Sequence, residues 1–543
     1  MCAEFDTRSR DDCASVGEFL PDDRGVAGQA RDVAGEVRSS SGDAAAVEPF
    51  ASSDAVYGAL KGWLSGEEVA GLTHGELEER LDSEGRELVR ALFQDSIDLR
   101  AARERRLEAV VDAEGVVHAN VERSHERSLQ TVFGQVTVSR LAYRQRGCEN
   151  LYVADAELNL PEEKHSHGLR RLAAVAAPQG SFEDARDAIG RQTGVQLGKR
   201  QIEELARRAA VDFEAFYGQR ERSAPGGEDV LVLSCDGKGV VMRPEALRPE
   251  TKRKAEGSET KLKTRLSRGE KRNRKRMAEV TAVYEVTPRV RTAADILPST
   301  KQERQVARDG PEAKDKWVSA SVSDDAATAI ARMFEEAVRR DPERKRSWVA
   351  LVDGNNHQID RIRKEAKKRK VKVTIVIDCV HVLEYLWSSA WSFFKEGDPA
   401  AERWVHEKAR AVLNGKAGIV AASIRRKATR LGLDSDKRAN ADACADYLLA
   451  KRRYLDYPTA LTSGWPIATG VIEGACRHLV KDRMDITGAR WGLEGAEAVL
   501  KLRAIKTNND FDAYWHFHLA QEHKRVHETR YAGAVIPSPH HPA

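Results

Sequence analysis

Three apolar runs in this chain each end in a carboxylate: "LVLSCDG" at Asp236, "SWVALVDG" at Asp353 and "VKVTIVIDCVH" at Asp378. All three are rich in Val, Ile and Leu, the composition of interior strands covered on both faces. Taken alone, Asp236-Gly237 reads as a hairpin turn, because both residues tolerate the left-handed backbone of a tight turn. Several carboxylates delivered to one end of one sheet are a different matter, since they repel one another unless a cation lies between them. Hard oxygen donors of this kind suit Mg2+, with Mn2+ able to substitute. A fourth acid, Glu473, falls in the first turn of a helix expected from Val471 onward, where Glu473, Arg477 and Lys481 recur every fourth residue. A divalent ion held by such acids can activate a bound water and stabilise negative charge that develops on an oxygen.

The elements that must position these acids follow from the same stretch. "DVLVLSCDG", a short strand "GVVM" after Asp236, and "RMAEVTAVYEV" (276–286) precede an amphipathic helix, "DDAATAIARMFEEAVRR" (324–340). Then come the Asp353 strand, a basic helix (355–370) and the Asp378 strand. Strand, strand, strand, helix, strand, helix, strand, with acids on neighbouring central strands, is the ribonuclease H-like α/β layout. Between early strands lies "RPETKRKAEGSETKLKTRLSRGEKRNRKRM" (248–277), read as a polar loop that carries Lys252, Arg253, Lys254, Lys271, Arg272 and Arg274. From His381 to Gly464 the pattern is helical throughout, and its aromatics Trp387, Trp391, Phe394, Trp404 and Tyr447 read mostly as core.

Upstream, residues 1–50 hold few large apolar groups and are expected to be disordered. Residues 51–160 read as a small α+β module. Within 161–222, "SFEDARDAIGRQTG" and "VQLGKRQIEELARRAA" fit a helix-turn-helix that carries Lys199, Arg200, Arg207 and Arg208, and "SAPGGED" (223–229) marks a linker. The catalytic core then runs over 228–381, a helical insertion over 382–464, the Glu473 helix and its successors over 465–530, and a flexible tail over 531–543. The 543 residues are 41% hydrophobic and 32% charged, yet the formal net charge is only +4, so basic character is a matter of location. Seven cysteines without a CxxC pair argue against a zinc ribbon and a disulfide framework, and a cytoplasmic setting is expected. Neither membrane insertion nor export is expected. His523 and His527, one helical turn apart, lack the Glu of HExxH and any nearby cysteine, which leaves little for zinc.

"SCDGKGVVM", "LVDGNNH", "VIDCVHVLEYLW" and "GVIEGACRHLVKDRMDITGARW", followed by "AEAVLKLRAIKTNNDFDAYWHFH", resemble in this order the Kra-type insertion-sequence transposases of bacteria. These are a branch of the DDE transposases with a ribonuclease H-like core. The resemblance extends from "TVFGQVTVSRLAYR" to "HETRYA" and is most specific in the long C-terminal motif. It implies that Asp236 is the first catalytic aspartate and Glu473 the catalytic glutamate. For the second aspartate it leaves two schemes. In the preferred one Asp353 is the metal ligand while Asp378 and His381 form a Cys/Asp-x-x-His signature; in the other Asp378 is the ligand and Asp353 a turn residue. His381 would orient a water or a phosphate, or simply pack.

The resemblance further implies a double-stranded DNA substrate with terminal inverted repeats, a target DNA, and a homodimer or larger assembly in synapsis, in a bacterial cytoplasm close to the nucleoid. The basic segment would clamp phosphates, the helix-turn-helix would read the repeats, and Arg477, Lys481, Arg483 and Arg490 would surround the cleaved end. Two other readings stay open: a transposase-derived DNA-binding protein without catalysis, and a nuclease or resolvase on the same fold.

Overall fold

The computed structural model describes residues 48–221, 229–257 and 274–538. The expected disorder of residues 1–50, most of the 223–229 linker, and Lys271 and Arg272 lie wholly or largely outside the described residues. Pro49–Ala543 forms one unit. It begins with the helices Ala51–Leu64 and His74–Arg103, the second opened by a capping box between Thr73 and Glu76. Two antiparallel pairs follow: β1 (Val110–Val111) with β2 (Val117–His118), and β3 (Asn120–Thr131) with β4 (Gly134–Arg144).

The central sheet has five strands: β5 (Val230–Val241), β6 (Lys275–Val286), β7 (Ala313–Ser321), β8 (Trp348–Val352) and β9 (Val373–Ile377), in the spatial order β7-β6-β5-β8-β9. β5, β6 and β7 are antiparallel neighbours, whereas β5, β8 and β9 run parallel. Helices Ala326–Arg340 and Asn356–Lys368 make the crossovers that parallel pairing requires. Six successive buried residues from Val230 to Cys235 show that β5 is covered on both faces, as its unbroken apolar run implies.

Two elements differ from the sequence reading. Asp236-Gly237 is neither a turn nor a strand end, because β5 passes straight through it and pairs with β6 over its whole length, Asp236 opposite Val280. Gly237 and Gly239 lie within the strand, where a Cβ on either would come within 2.8 Å of Met277 or Lys275, so they clear space for those side chains. The strand lost by merging "GVVM" into β5 is replaced by β7, whose "AKDKWVSAS" is too charged in its outer half to announce a strand. The described ends of the supposed loop 248–277 are regular, with a helix at Pro249–Glu256 and β6 beginning at Lys275, and residues 258–273 lie outside the described residues.

From Cys379 to Thr462 the structure is helical, as expected, with long helices at Cys379–Ala390, Pro399–Leu413, Ala417–Arg430 and Ser435–Ala450. The chain returns to the sheet at Gly464, where φ is +73° and a Cβ would stand 2.5 Å from the Arg289 nitrogen. Around that contact Arg289 N–H donates to the Gly464 carbonyl at 3.1 Å and Arg291 N–H to that of Leu461 at 3.0 Å. Gly464→Ala is therefore expected to cost about 1–3 kcal/mol from backbone strain alone, read as a fall in melting temperature.

The helix-turn-helix segment does not form a separate body. Its buried residues, Ile189, Ile202 and Leu205 among them, belong to the same core as the sheet. The tail at 531–538 is likewise not free throughout, since Tyr531 is buried in a small cluster with Val110, Tyr143 and Leu151. His523 and His527 pack as structural groups: His527 Nε2 meets the Leu160 carbonyl at 2.9 Å and burial depresses its pKa to about 4. Among the described residues no helix is long and apolar enough to cross a membrane.

Candidate active site at the carboxyl end of the sheet

Parallel register decides which acids meet. Ser234 pairs with Leu351 and Val352 with Ile377, so carrying the ladders on sets Asp236, Asp353 and Asp378 in one row across three neighbouring strands. Adjacent strands lie about 4.8 Å apart. Asp378 N–H donates to the Val352 carbonyl at 2.8 Å, which fixes the third member of the row. The Glu473 helix, Gly470–Ala475, packs on β5 and β6 and brings its acid to the same end.

Each acid is held differently. Asp236 is half-buried; its Oδ1 accepts Gly237 N–H at 2.6 Å and its Oδ2 accepts the Cys476 thiol at 3.3 Å. Asp353 Oδ1 accepts Asn355 N–H at 2.8 Å, while its backbone carbonyl accepts Tyr447 O–H at 3.0 Å. Gly354 follows with φ +98°, and a Cβ there would meet the Tyr447 hydroxyl at 2.9 Å, so this close approach requires glycine. Asp378 is 3% exposed and has both oxygens engaged: Oδ1 caps its helix through Val380 N–H at 2.9 Å, and Oδ2 accepts the Thr469 hydroxyl. The same hydroxyl lies 3.3 Å from Glu473 Oε1, so Thr469 links Asp378 to Glu473.

The electrostatics are those of crowded acids. Partial desolvation of an otherwise exposed side chain, then the charge of Asp378, holds the Glu473 carboxyl above its ordinary range, with smaller upward pushes from Glu384 and Asp236. Burial also raises Asp378, against the hydrogen bonds from Thr469 and Val380. The Cys476 thiol is held well above its usual pKa by burial and by Asp236, so it remains a donor to that carboxylate. Among the described residues, Asp236, Asp353, Asp378 and Glu473 have no Lys, Arg or His within ion-pair distance, although the fold pairs its acids freely elsewhere. Nor do three of these acids stand within 4.8 Å of one another. An all-oxygen donor set without a basic side chain to neutralise it fits Mg2+ or Mn2+.

His381 lies beside this row on the first turn of its helix. Its Nδ1 is 2.9 Å from Glu384, and its ring sits edge-on to Tyr385 and Tyr447, which stack 3.9 Å apart. Thr469, Cys476 and Tyr447 were not legible as site residues. Cys476 had a signal in its spacing, three residues after Glu473 on one helix; Thr469 had one as the residue before that helix.

The basic residues fall into three groups. Lys252, Arg253 and Lys254 are exposed on Pro249–Glu256, beyond the end of β5 that lies about 17 Å past Asp236, and Arg274 begins the return into β6. Lys199, Arg207 and Arg208 are paired with Glu183, Glu494 and Glu163, and the helix Lys199–Ala209 lies against Leu493–Thr507, while Arg200 is exposed. Near Glu473 the helix widens into a π turn at Cys476–Lys481, which breaks the four-residue repeat of Glu473, Arg477 and Lys481; these three and Arg490 are exposed nonetheless.

Arg483 leaves the set. It is 2% exposed, donates to the Ala177 carbonyl at 3.0 Å and lies over Phe182 and Trp491, so it cannot contact a phosphate without unpacking the core. Arg483→Ala is expected to lower stability by roughly 3 kcal/mol, seen in the thermal melt. Arg477→Ala, at an exposed side chain, should leave the melt alone.

Residues 68–276 match an uncharacterised protein family (UPF0236). The match includes Asp236 and ends before Asp353, Asp378 and Glu473. No curated protein matches the chain.

Proposed function

We propose that this protein is a DDE-type DNA transposase of an insertion sequence, built on a ribonuclease H-like core, and that Asp236, Asp353 and Glu473 hold two divalent ions. The observation that carries the reading is the row of acids formed by Asp236 within β5 and by Asp353 and Asp378 just past the carboxyl ends of β8 and β9, completed by Glu473 after an all-helical insertion. The strand order supports the fold assignment: counted along the chain, the strands lie third, second, first, fourth and fifth, with the second antiparallel to its neighbours.

Asp353 is preferred to Asp378 as the second ligand because Asp378 is buried with both oxygens bonded, whereas Asp353 is half-buried and only its Oδ1 accepts a hydrogen bond among the described residues. When bound, the ions supply an activated oxygen nucleophile and charge stabilisation at the leaving oxygen. The chain's own part is positional. Thr469 and Asp378 fix the first turn of the Glu473 helix, the Cys476 thiol orients Asp236, and Tyr447 holds the Asp353 carbonyl. Exposed Arg477, Lys481 and Arg490 can hold phosphates around the acids, and the Pro249–Glu256 helix extends that basic surface. The reading predicts binding as a dimer or larger assembly to paired DNA ends.

The test is strand transfer. The protein, Mg2+ and oligonucleotides that end in the gene's own flanks are incubated with a target plasmid. Covalent joining of flank 3′ ends to the plasmid supports the proposal. Cleavage of any duplex or RNA–DNA hybrid without end specificity or joining would assign the fold to a nuclease instead.

A further inference from the structure

A second group of metal-ligating side chains lies far along the chain from these acids, in the N-terminal module. Asp112 follows β1, His118 lies in β2, and Cys148 sits in the turn after β4; each offers one ligand atom within 4.8 Å of the other two. We infer that these three residues bind a single transition-metal ion of borderline softness, Zn2+ being the natural occupant. The inference does not depend on the proposed transposase activity.

Four observations carry it. The donor set is mixed, one carboxylate, one imidazole and one thiol, which suits zinc and not Mg2+. The geometry is prepared: Asp112 Oδ1 is clamped by the N–H groups of Glu114 at 3.1 Å and Val116 at 2.8 Å, which turns Oδ2 toward His118 Nε2 at 3.0 Å. His118 is fully buried, and its Nδ1 has no hydrogen-bond partner, so all of the ring's polar contact is on the Nε2 side, where Asp112 lies. Finally, the fold gives Asp112 no Lys or Arg among the described residues, and its one ion-pair partner is His118. Zn2+ with one carboxylate and one thiolate is charge-neutral, and ligand distances of roughly 2.0–2.3 Å need only a small closure of the group. Cys148 is exposed, which leaves a fourth position for water.

The ion would fasten two separate pieces of chain, the β1–β2 hairpin and the turn after β4. Asp112 bridges to Tyr531, and Ala113 N–H donates to the Arg530 carbonyl at 3.0 Å, so the β1–β2 hairpin, the turn after β4 and the C-terminal segment all converge there. The site is thus a structural clasp within the N-terminal module, at the place where the C-terminal segment meets it.

The experiment adds Co2+ to metal-stripped full-length protein in excess Mg2+, then compares wild type, Cys148→Ser, His118→Gln and, as a control, Glu473→Gln. Cys148 is exposed, so its serine variant keeps the fold even if His118→Gln does not. The expected result is a sulfur-to-cobalt charge-transfer band at one ion per chain, displaced by Zn2+, retained in Glu473→Gln, lost in Cys148→Ser, and with affinity weakened about 100-fold. Absence of the band in wild type overturns the inference. So does a band of full strength in Cys148→Ser, which would belong to another thiol such as Cys476.

Discussion

Glu473→Gln is expected to lower the proposed metal-dependent strand cleavage about 1,000-fold or more while leaving DNA binding intact, because it removes a proposed metal ligand and keeps the Oε1 acceptor beside Thr469. Its effect on stability has the opposite sign. Partial desolvation and Asp378 hold the Glu473 carboxyl above its ordinary range, so the folded protein retains a proton there that the unfolded chain has released. A raised carboxyl pKa costs nothing below the ordinary carboxylate range, where both states are protonated. The cost grows as pH rises through the window up to the raised value and is fully present above it. Without divalent metal, Glu473→Gln should therefore melt above wild type at neutral pH, and the gap should close as pH falls below the ordinary carboxylate range. Mg2+ should raise the melting temperature of wild type and not of the variant. Thermal melts at two pH values, with and without Mg2+, read all of this.

The second large effect separates Asp353 from Asp378. Asp353→Asn keeps the Oδ1 acceptor for Asn355 N–H and leaves the Tyr447 contact to the backbone carbonyl untouched, so it should fold normally and lose cleavage about 1,000-fold. Asp378→Ala removes a helix cap and the acceptor for Thr469, and should cost about 1–3 kcal/mol. Its cleavage should fall less steeply, through a loosened Glu473 helix, and recover in part in Asp378→Asn, which restores the cap. A dead but stable Asp378→Asn beside an active Asp353→Asn would exchange the two roles.

Much of this arrangement can be read in the residues. The apolar runs into Asp353 and Asp378 are strands, the basic segment between them is a helix, and the stretch after His381 is helical, because each pattern fills a full period with few exceptions. Glu473 falls in a first turn because small residues and Trp465-Pro466 stop anything earlier. What local pattern could not supply came from tertiary contact. Asp236-Gly237 has turn chemistry but lies in a strand because β6 pairs with it on one side and β8 extends toward it on the other. β7 is invisible in sequence because only its inner half is buried. Arg483 looks like its exposed neighbours Arg477 and Arg490, and only the approach of Phe182 and Trp491 from distant parts of the chain shows that it belongs to the core. The Thr469 link between Asp378 and Glu473 joins residues ninety-odd positions apart, beyond the reach of any spacing rule.

The most direct measurement is nicking of DNA that carries the gene's flanks, by wild type and by Asp236→Asn, across Mg2+ and Mn2+ and with a chelator. The proposed arrangement predicts nicks at one defined position on each flank with either metal, none with chelator, and none from Asp236→Asn under any condition although it still binds the DNA. Nicks that survive Asp236→Asn or the chelator, or salt-sensitive binding without cleavage in either metal, would contradict it.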